Sequence, residues 1–189
     1  MKKIITTLLV TTLGSIALFA GTYNVDTSHS HVGFKVKHMM ISNVLGKFDT
    51  FDGSFIYDEK TKTITQLNGV INVNSINTAN KKRDAHLKSA ELFDAKQYPK
   101  ITFTLSKIDG DDAYGQLTMH GVTKDVKLDF ENNGMIKDPW GNTRVGLELT
   151  GKLSRKDYGI TWNTILEAGG VAVGDTIKLD IQIEGILAK

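Results

Sequence analysis

The chain has 189 residues, 23 Lys and Arg against 21 Asp and Glu, and no cysteine. Without cysteine, disulfides, thiol chemistry, cysteine-ligated metals and a lipid-modified N-terminal cysteine are all excluded, so the fold rests on its core alone. A near-zero net charge argues against a general nucleic-acid binder, which needs a basic face.

The N-terminus reads MKKIITTLLVTTLGSIALFAG: two lysines, then an apolar run from Ile4 to Ala20 that ends in small residues. This is the layout of a secretory signal peptide, and it predicts a periplasmic protein. We take residues 1–20 as the leader; cleavage after Ala17 would satisfy the small-residue rule better, because Leu18 fits it poorly. The run is about as long as the shortest membrane-spanning helices, so a retained anchor is the alternative. Cleavage leaves 21–189 as one domain with balanced charge and no stable membrane insertion.

Period-2 alternation then recurs along the chain, the signal of strands with one wet face. Val32, Phe34 and Val36 share a face, as do Ile101, Phe103 and Leu105, then Val126, Leu128 and Phe130. Val145, Leu147, Leu149 and Leu153 follow, and finally Ile177, Leu179, Ile181 and Ile183. Near Thr50 the parity changes, from Phe48 to Phe51, Gly53, Phe55 and Tyr57, which predicts a bulge. Turns are expected at 109–115, 131–134, 138–142 and 168–175. The one helix candidate runs from a cap at Asn80 to about Ala95, with Arg83, Lys88 and Glu91 facing water and Ala85, Leu87, Leu92 and Phe93 inward. Pro99 stops it.

Many antiparallel strands with short connections predict an all-β barrel or sandwich. Eight or so strands closing on themselves leave room for a ligand, whereas a sandwich fills its own core.

Two clusters invite chemistry. Arg83, Asp84 and His86 stand close in sequence, but on a helix they point in different directions, and Asp84 in the first turn suits the helix dipole. His29 and His31 share a strand face, but His38 and Asp26 have the other parity, short of the three or four converging ligands that zinc or copper needs. No nucleophile elbow, P-loop or H-E-x-x-H pattern occurs. The residues therefore predict neither a catalytic nor a metal site, and no cofactor.

Four stretches, in order, resemble one family: YNVDTSHSHVGFKVKHMMISNVLGKFDTFDG, RDAHLKSAELFDAKQYPKITF, GQLTMHGVTKDVKLDF and RKDYGITWNTILEAGGVAVGDTIKLDIQIEG. They are similar to the YceI-like proteins, exported bacterial lipid binders. The resemblance implies a lipocalin-like extended antiparallel β-barrel of about eight strands, with one short helix plugging or flanking it. It further implies a long apolar channel that holds a polyisoprenoid such as a quinone, or in some members a fatty acid or fatty amide. His31 departs from the smaller polar residue that relatives often carry there.

On that reading, the lipid-lining residues expected from the alternation are Phe34, Val36, Ile71, Phe103, Leu117, Met119, Phe130, Leu147, Leu149, Trp162, Leu179 and Ile181. Trp162 and Tyr158 are expected at the mouth, where an amphipathic ring meets a polar head group. The competing functions are an enzyme acting on a quinone-like or lipid head group through Arg83, Asp84 and His86, and a stress protein binding metal through His29 and His31. A homodimer would form through an exposed edge or the helix side.

Overall fold

A computed structural model describes residues 20–167 and 169–189. The expected leader, residues 1–20, lies outside the described residues apart from Ala20, which begins the first strand. Among the described residues, no helix is long and apolar enough to cross a membrane.

Eleven strands of the described residues make one antiparallel sheet: β1 (Ala20–Val25), β2 (His31–His38), β3 (Ser42–Phe48), β4 (Phe51–Asp58), β5 (Thr63–Asn72), β6 (Ile76–Asn77), β7 (Lys100–Asp109), β8 (Asp112–Met119), β9 (Val122–Lys137), β10 (Thr143–Ser154) and β11 (Val173–Leu187). Pairing runs β1-β4-β5-β7-β8-β9-β10-β11 and returns to β1, so the barrel closes. The long β11 carries β1 at Gly185–Leu187 and β2 along Val173–Gln182 of the same edge. β1 with β2, β3 with β4, and β5 with β6 thus act as three interrupted staves, giving eight staves in all. Closure satisfies the backbone of every stave and removes the edge problem of an open sheet.

Where a bulge was expected near Thr50, the chain instead breaks between two strands. β3 ends at Phe48 and β4 starts at Phe51, with Asp49 N donating to Ser75 O and Thr50 N to Ser75 Oγ. The turn expected at 131–134 does not form; that stretch lies inside β9, and the turn residues serve a bulge instead. Gly134 pairs with Gly146 while Asn132 pairs with Leu147, so Asn133 is the extra residue. Gly134 takes φ +93°, and its N–H is held by Asn132 Oδ1 at 3.0 Å.

The core follows the inward parity. At one end, which we call the lower end, Tyr23 stacks on Phe55 with centroids 5.4 Å apart and meets the edge of Tyr57 at 5.9 Å. Val145 and Leu147 complete this fully packed cluster. Beneath it Arg144 ties three carboxylates from separate segments, donating from Nε to Asp138 Oδ2 at 2.7 Å and from Nη1 to Asp26 Oδ2 at 2.8 Å and to Glu184 Oε1. Hydrogen bonds from Ser28, then Arg144 and His29, hold Asp26 well below the usual carboxylate range. At Asp138, burial works against ionisation and is outweighed by donors from Arg144 and Asn142, so its pKa also lies low.

Carboxylates with depressed native pKa values bind fewer protons folded than unfolded near pH 4 and below. Their stabilisation is complete above about pH 4 and drains as pH falls toward the native pKa values. Arg144→Met is therefore expected to lower stability at pH 7 clearly and near pH 2 much less. Urea melts at the two pH values check it; an equal loss at both would contradict the clamp.

Candidate functional site

The upper half of the barrel is not filled. Side chains from β2, β3, β7, β8, β10 and β11 surround an apolar cavity of about 290 Å³, near the small end of ligand pockets. A second chamber of about 100 Å³ continues it downward and shares Val32, Ile71, Leu117, Leu179 and Ile181 with the first. The channel stops at the Tyr23–Phe55–Tyr57 cluster. Glycines make room for it. Gly53 and Gly69 face one another across β4 and β5, and a Cβ built on Gly69 would meet nothing within 4 Å. Elsewhere glycines accept rings: a Cβ at Gly46 would come within 2.2 Å of Phe34, its cross-strand partner.

Most of the residues expected from alternation line this space. Phe34, Val36, Met119 and Trp162 face the upper cavity, Phe103 and Leu149 the lower chamber, and Ile71, Leu117, Leu179 and Ile181 both. Phe130 and Leu147 do not. Both have inward parity, but they pack into the solid lower core, where Leu147 is fully buried beside the aromatic cluster. The lining also includes Val44, Phe48, Leu92, Phe93, Leu153 and Ile177, of which Leu153 and Ile177 carried the same period-2 signal.

The upper end is covered by a short helix, α1 (Lys81–Leu87). Asn80 caps it, with Oδ1 accepting from Arg83 N at 3.0 Å. It ends well before Ala95, because Ser89 N and Oγ both donate to the His86 carbonyl and close the ladder. The chain then turns, so that Leu92 and Phe93 enter the barrel while Ala85 stays exposed rather than inward. Arg83 does not face water as expected: its Nε donates to Thr78 Oγ1 and its Nη2 to Thr78 O, both at 2.8 Å. Asp84 Oδ1 accepts from Thr78 N at 2.9 Å and Oγ1 at 2.6 Å. Arg83 and Asp84 thus grip the buried Thr78, and His86 turns elsewhere. Its Nε2 lies 2.7 Å from Glu91 Oε2, and its ring stands edge-on to Trp162, with centroids 4.7 Å apart.

The polar lining of the upper cavity clusters at this end: Lys37, His38, Thr78, Arg83, His86 and Arg155. Arg155, 4% exposed, fixes the loop that carries Trp162. It donates from Nη1 to Ile160 O and Trp162 O, both at 2.8 Å, from Nε to Gly174 O at 3.1 Å, and from Nη2 to Asp175 Oδ1 at 3.2 Å. Nothing in its sequence context announced this role.

Tyr158 is not at the mouth. It is 1% exposed in the core beside Val73 and Ile160, its hydroxyl has no partner, and burial pushes its pKa up to about 12. An unsatisfied buried hydroxyl costs free energy, so Tyr158→Phe is expected to leave the melting temperature unchanged or raise it slightly. A fall of several degrees would reveal a partner for the hydroxyl.

His29 and His31 do not form a shared site. His29 Nδ1 lies 2.9 Å from Asp26 Oδ2, whereas the His31 ring folds over Gly33 on the outer face. The grouping of ligand-type atoms among the described residues is instead Asp26, His29 and Glu184, and the Arg144 guanidinium already sits on both of its carboxylates.

A closed antiparallel barrel around an apolar channel, plugged by one short helix, defines a lipocalin-like barrel. The YceI-like domain family matches residues 23–185, and the chain belongs to that family. It is 38% identical to protein YceI of Salmonella newport over all of both chains, and 38% identical to a UPF0312 protein of Pectobacterium atrosepticum over 97% of this chain and 98% of that one. The crystal structure of the Campylobacter jejuni YceI protein superposes with a TM-score of 0.68 at 36% identity, covering 87% of this chain and 96% of that chain. A polyisoprenoid-binding domain from Saccharophagus degradans shares the fold, with a TM-score of 0.68 at 18% identity, over 88% of this chain and 98% of that one.

Proposed function

We propose that this protein is a periplasmic carrier, delivered by a cleaved N-terminal leader, that holds one polyisoprenoid chain, quinone-like or otherwise, or another long-chain lipid in its channel. The observation that carries the reading is the two-chamber apolar channel, with Lys37, His38, Thr78, Arg83, His86 and Arg155 around its upper chamber and Asp52 and Asn68 the polar residues beside its lower one. An isoprenoid tail has no hydrogen-bonding groups, and each methylene it buries is worth about 0.8 kcal/mol before ordering costs. The tail runs toward the Tyr23 cluster, and the head group stays near Arg83, His86 and Trp162. The same geometry favours binding over turnover, since Asp84 is committed to Thr78 and His86 to Glu91.

Fluorescence tests this directly, because the chain has two tryptophans and Trp140 is exposed at the β9–β10 turn, away from the channel. In a Trp140→Phe variant, titration with a prenylated quinone is expected to quench Trp162 saturably at one-to-one stoichiometry. Quenching that stays linear, as from collisions in solution, would contradict the reading.

A further inference from the structure

At the channel mouth the turn between β2 and β3 exposes Met39, Met40 and Ile41, the last 84% exposed. The facing hairpin, joined by the Ile165–Val171 bridge, exposes Ile165 to the same degree. The two touch and form one patch. Met39 N donates to Ala172 O at 2.8 Å, and Met40 packs over Gly170, where a built Cβ would lie 3.4 Å from Met40 Cγ. Met39 and Met40 hold φ of +47° and +63°, a left-handed conformation that costs methionine energy.

Running from this patch down the outer face is a band of lysines. Lys152, Lys178 and Lys35 stand directly opposite one another across β10, β11 and β2, with the exposed Leu45 next in the row on β3. Lys37 lies two residues closer to the turn, about 7 Å along the strand. Among the described residues none of these four lysines has a carboxylate within ion-pair distance. Lys35, Lys152 and Lys178 border a hollow that also holds Lys47 and Lys127, with Asp129 and Asp180 as its acidic groups. Like charges directly opposite in a sheet are destabilising, so three lysines in one row point to an anionic partner outside the molecule.

We propose that this mouth and lysine face dock on an anionic phospholipid bilayer, with the barrel tilted so that Met40, Ile41 and Ile165 enter the interface and the lysine row lies against phosphates. The tilt follows from distance: upright, the row would stand further from the surface than a Debye length of about 8–10 Å, and would feel little of it. Apolar anchors beside basic side chains are the combination that gives reversible interfacial binding. The purpose rests on the carrier reading, since cargo would pass between bilayer and channel without crossing water, but the contact is tested without cargo.

The test is co-sedimentation of the mature protein with phosphatidylcholine vesicles, with and without phosphatidylglycerol. Binding is expected only to the anionic vesicles and is expected to be reversed by high salt. Lys35→Glu with Lys178→Glu is expected to weaken it by about tenfold or more. Met40→Asn with Ile41→Ser is expected to weaken it similarly, and asparagine suits the left-handed backbone at Met40, so the fold is kept. No sedimentation with either vesicle, or binding that survives both pairs of substitutions, overturns the proposal even if a lipid is found in the channel. A dimer that the Met40 and Ile41 changes dissociate, with vesicle binding unaltered, assigns the patch to a second copy and also overturns it.

Discussion

Gly69→Leu is expected to cut the affinity for a long prenyl chain by roughly a hundredfold while leaving a short one bound as before. The glycine faces the lower chamber, where a Cβ would meet nothing within 4 Å, so a side chain can start into open space there. The four carbons of leucine displace a similar length of ligand, worth about 3 kcal/mol at ~0.8 kcal/mol per buried methylene. Stability is expected to hold or rise by about 0.5–1 kcal/mol, because glycine inside a strand is itself a cost. Titration with prenyl alcohols of graded length, beside a thermal melt, separates the two effects. Equal weakening of short and long chains would show that the tail does not reach the Gly53–Gly69 pair.

Arg155→Ala is expected to destabilise the protein by about 3 kcal/mol: the guanidinium is buried but Asp175 is 41% exposed, so the cost comes chiefly from carbonyls left without a donor, at about 1–3 kcal/mol each. Here the loss extends beyond Asp175. The carbonyls of Ile160, Trp162 and Gly174 lose their donor, and the segment that presents Trp162 to the channel is left tied to β11 by the two Asn163–Val173 hydrogen bonds. Arg155→Lys is expected to recover little, since one ammonium cannot reproduce a planar fork aimed at three carbonyls and a carboxylate. Denaturant melts of both variants give the magnitude, and a loss below about 1 kcal/mol for alanine would mean that water replaces the guanidinium.

The barrel was legible in the chain because period-2 alternation is a local signal. Val32, Phe34 and Val36 face inward as their spacing required, and the parity change at Thr50 marks an actual interruption of a stave. The cap at Asn80 was equally local. What failed was whatever depended on distant partners. The ENNG stretch carries turn residues, yet pairing with β10 turns it into a bulge. The helix stops at Leu87 because Leu92 and Phe93 are needed inside the barrel, a demand made by the far wall. Phe130 and Leu147 show that inward parity alone does not distinguish a channel from a packed core; that depends on where Tyr23, Phe55 and Tyr57 stack. Arg144 and Asp26, 118 positions apart, could not be paired from sequence at all.

The channel and the mouth fit one account, in which the lower cluster closes the barrel, the glycine pair widens it, and the helix and the Arg155-held loop form its rim. The most direct test is native mass spectrometry of the protein purified from bacterial cells, before and after organic extraction. The account predicts a one-to-one complex with a long-chain lipid whose mass disappears on extraction. A folded protein that arrives empty and takes up neither added prenyl quinones nor fatty amides would contradict it.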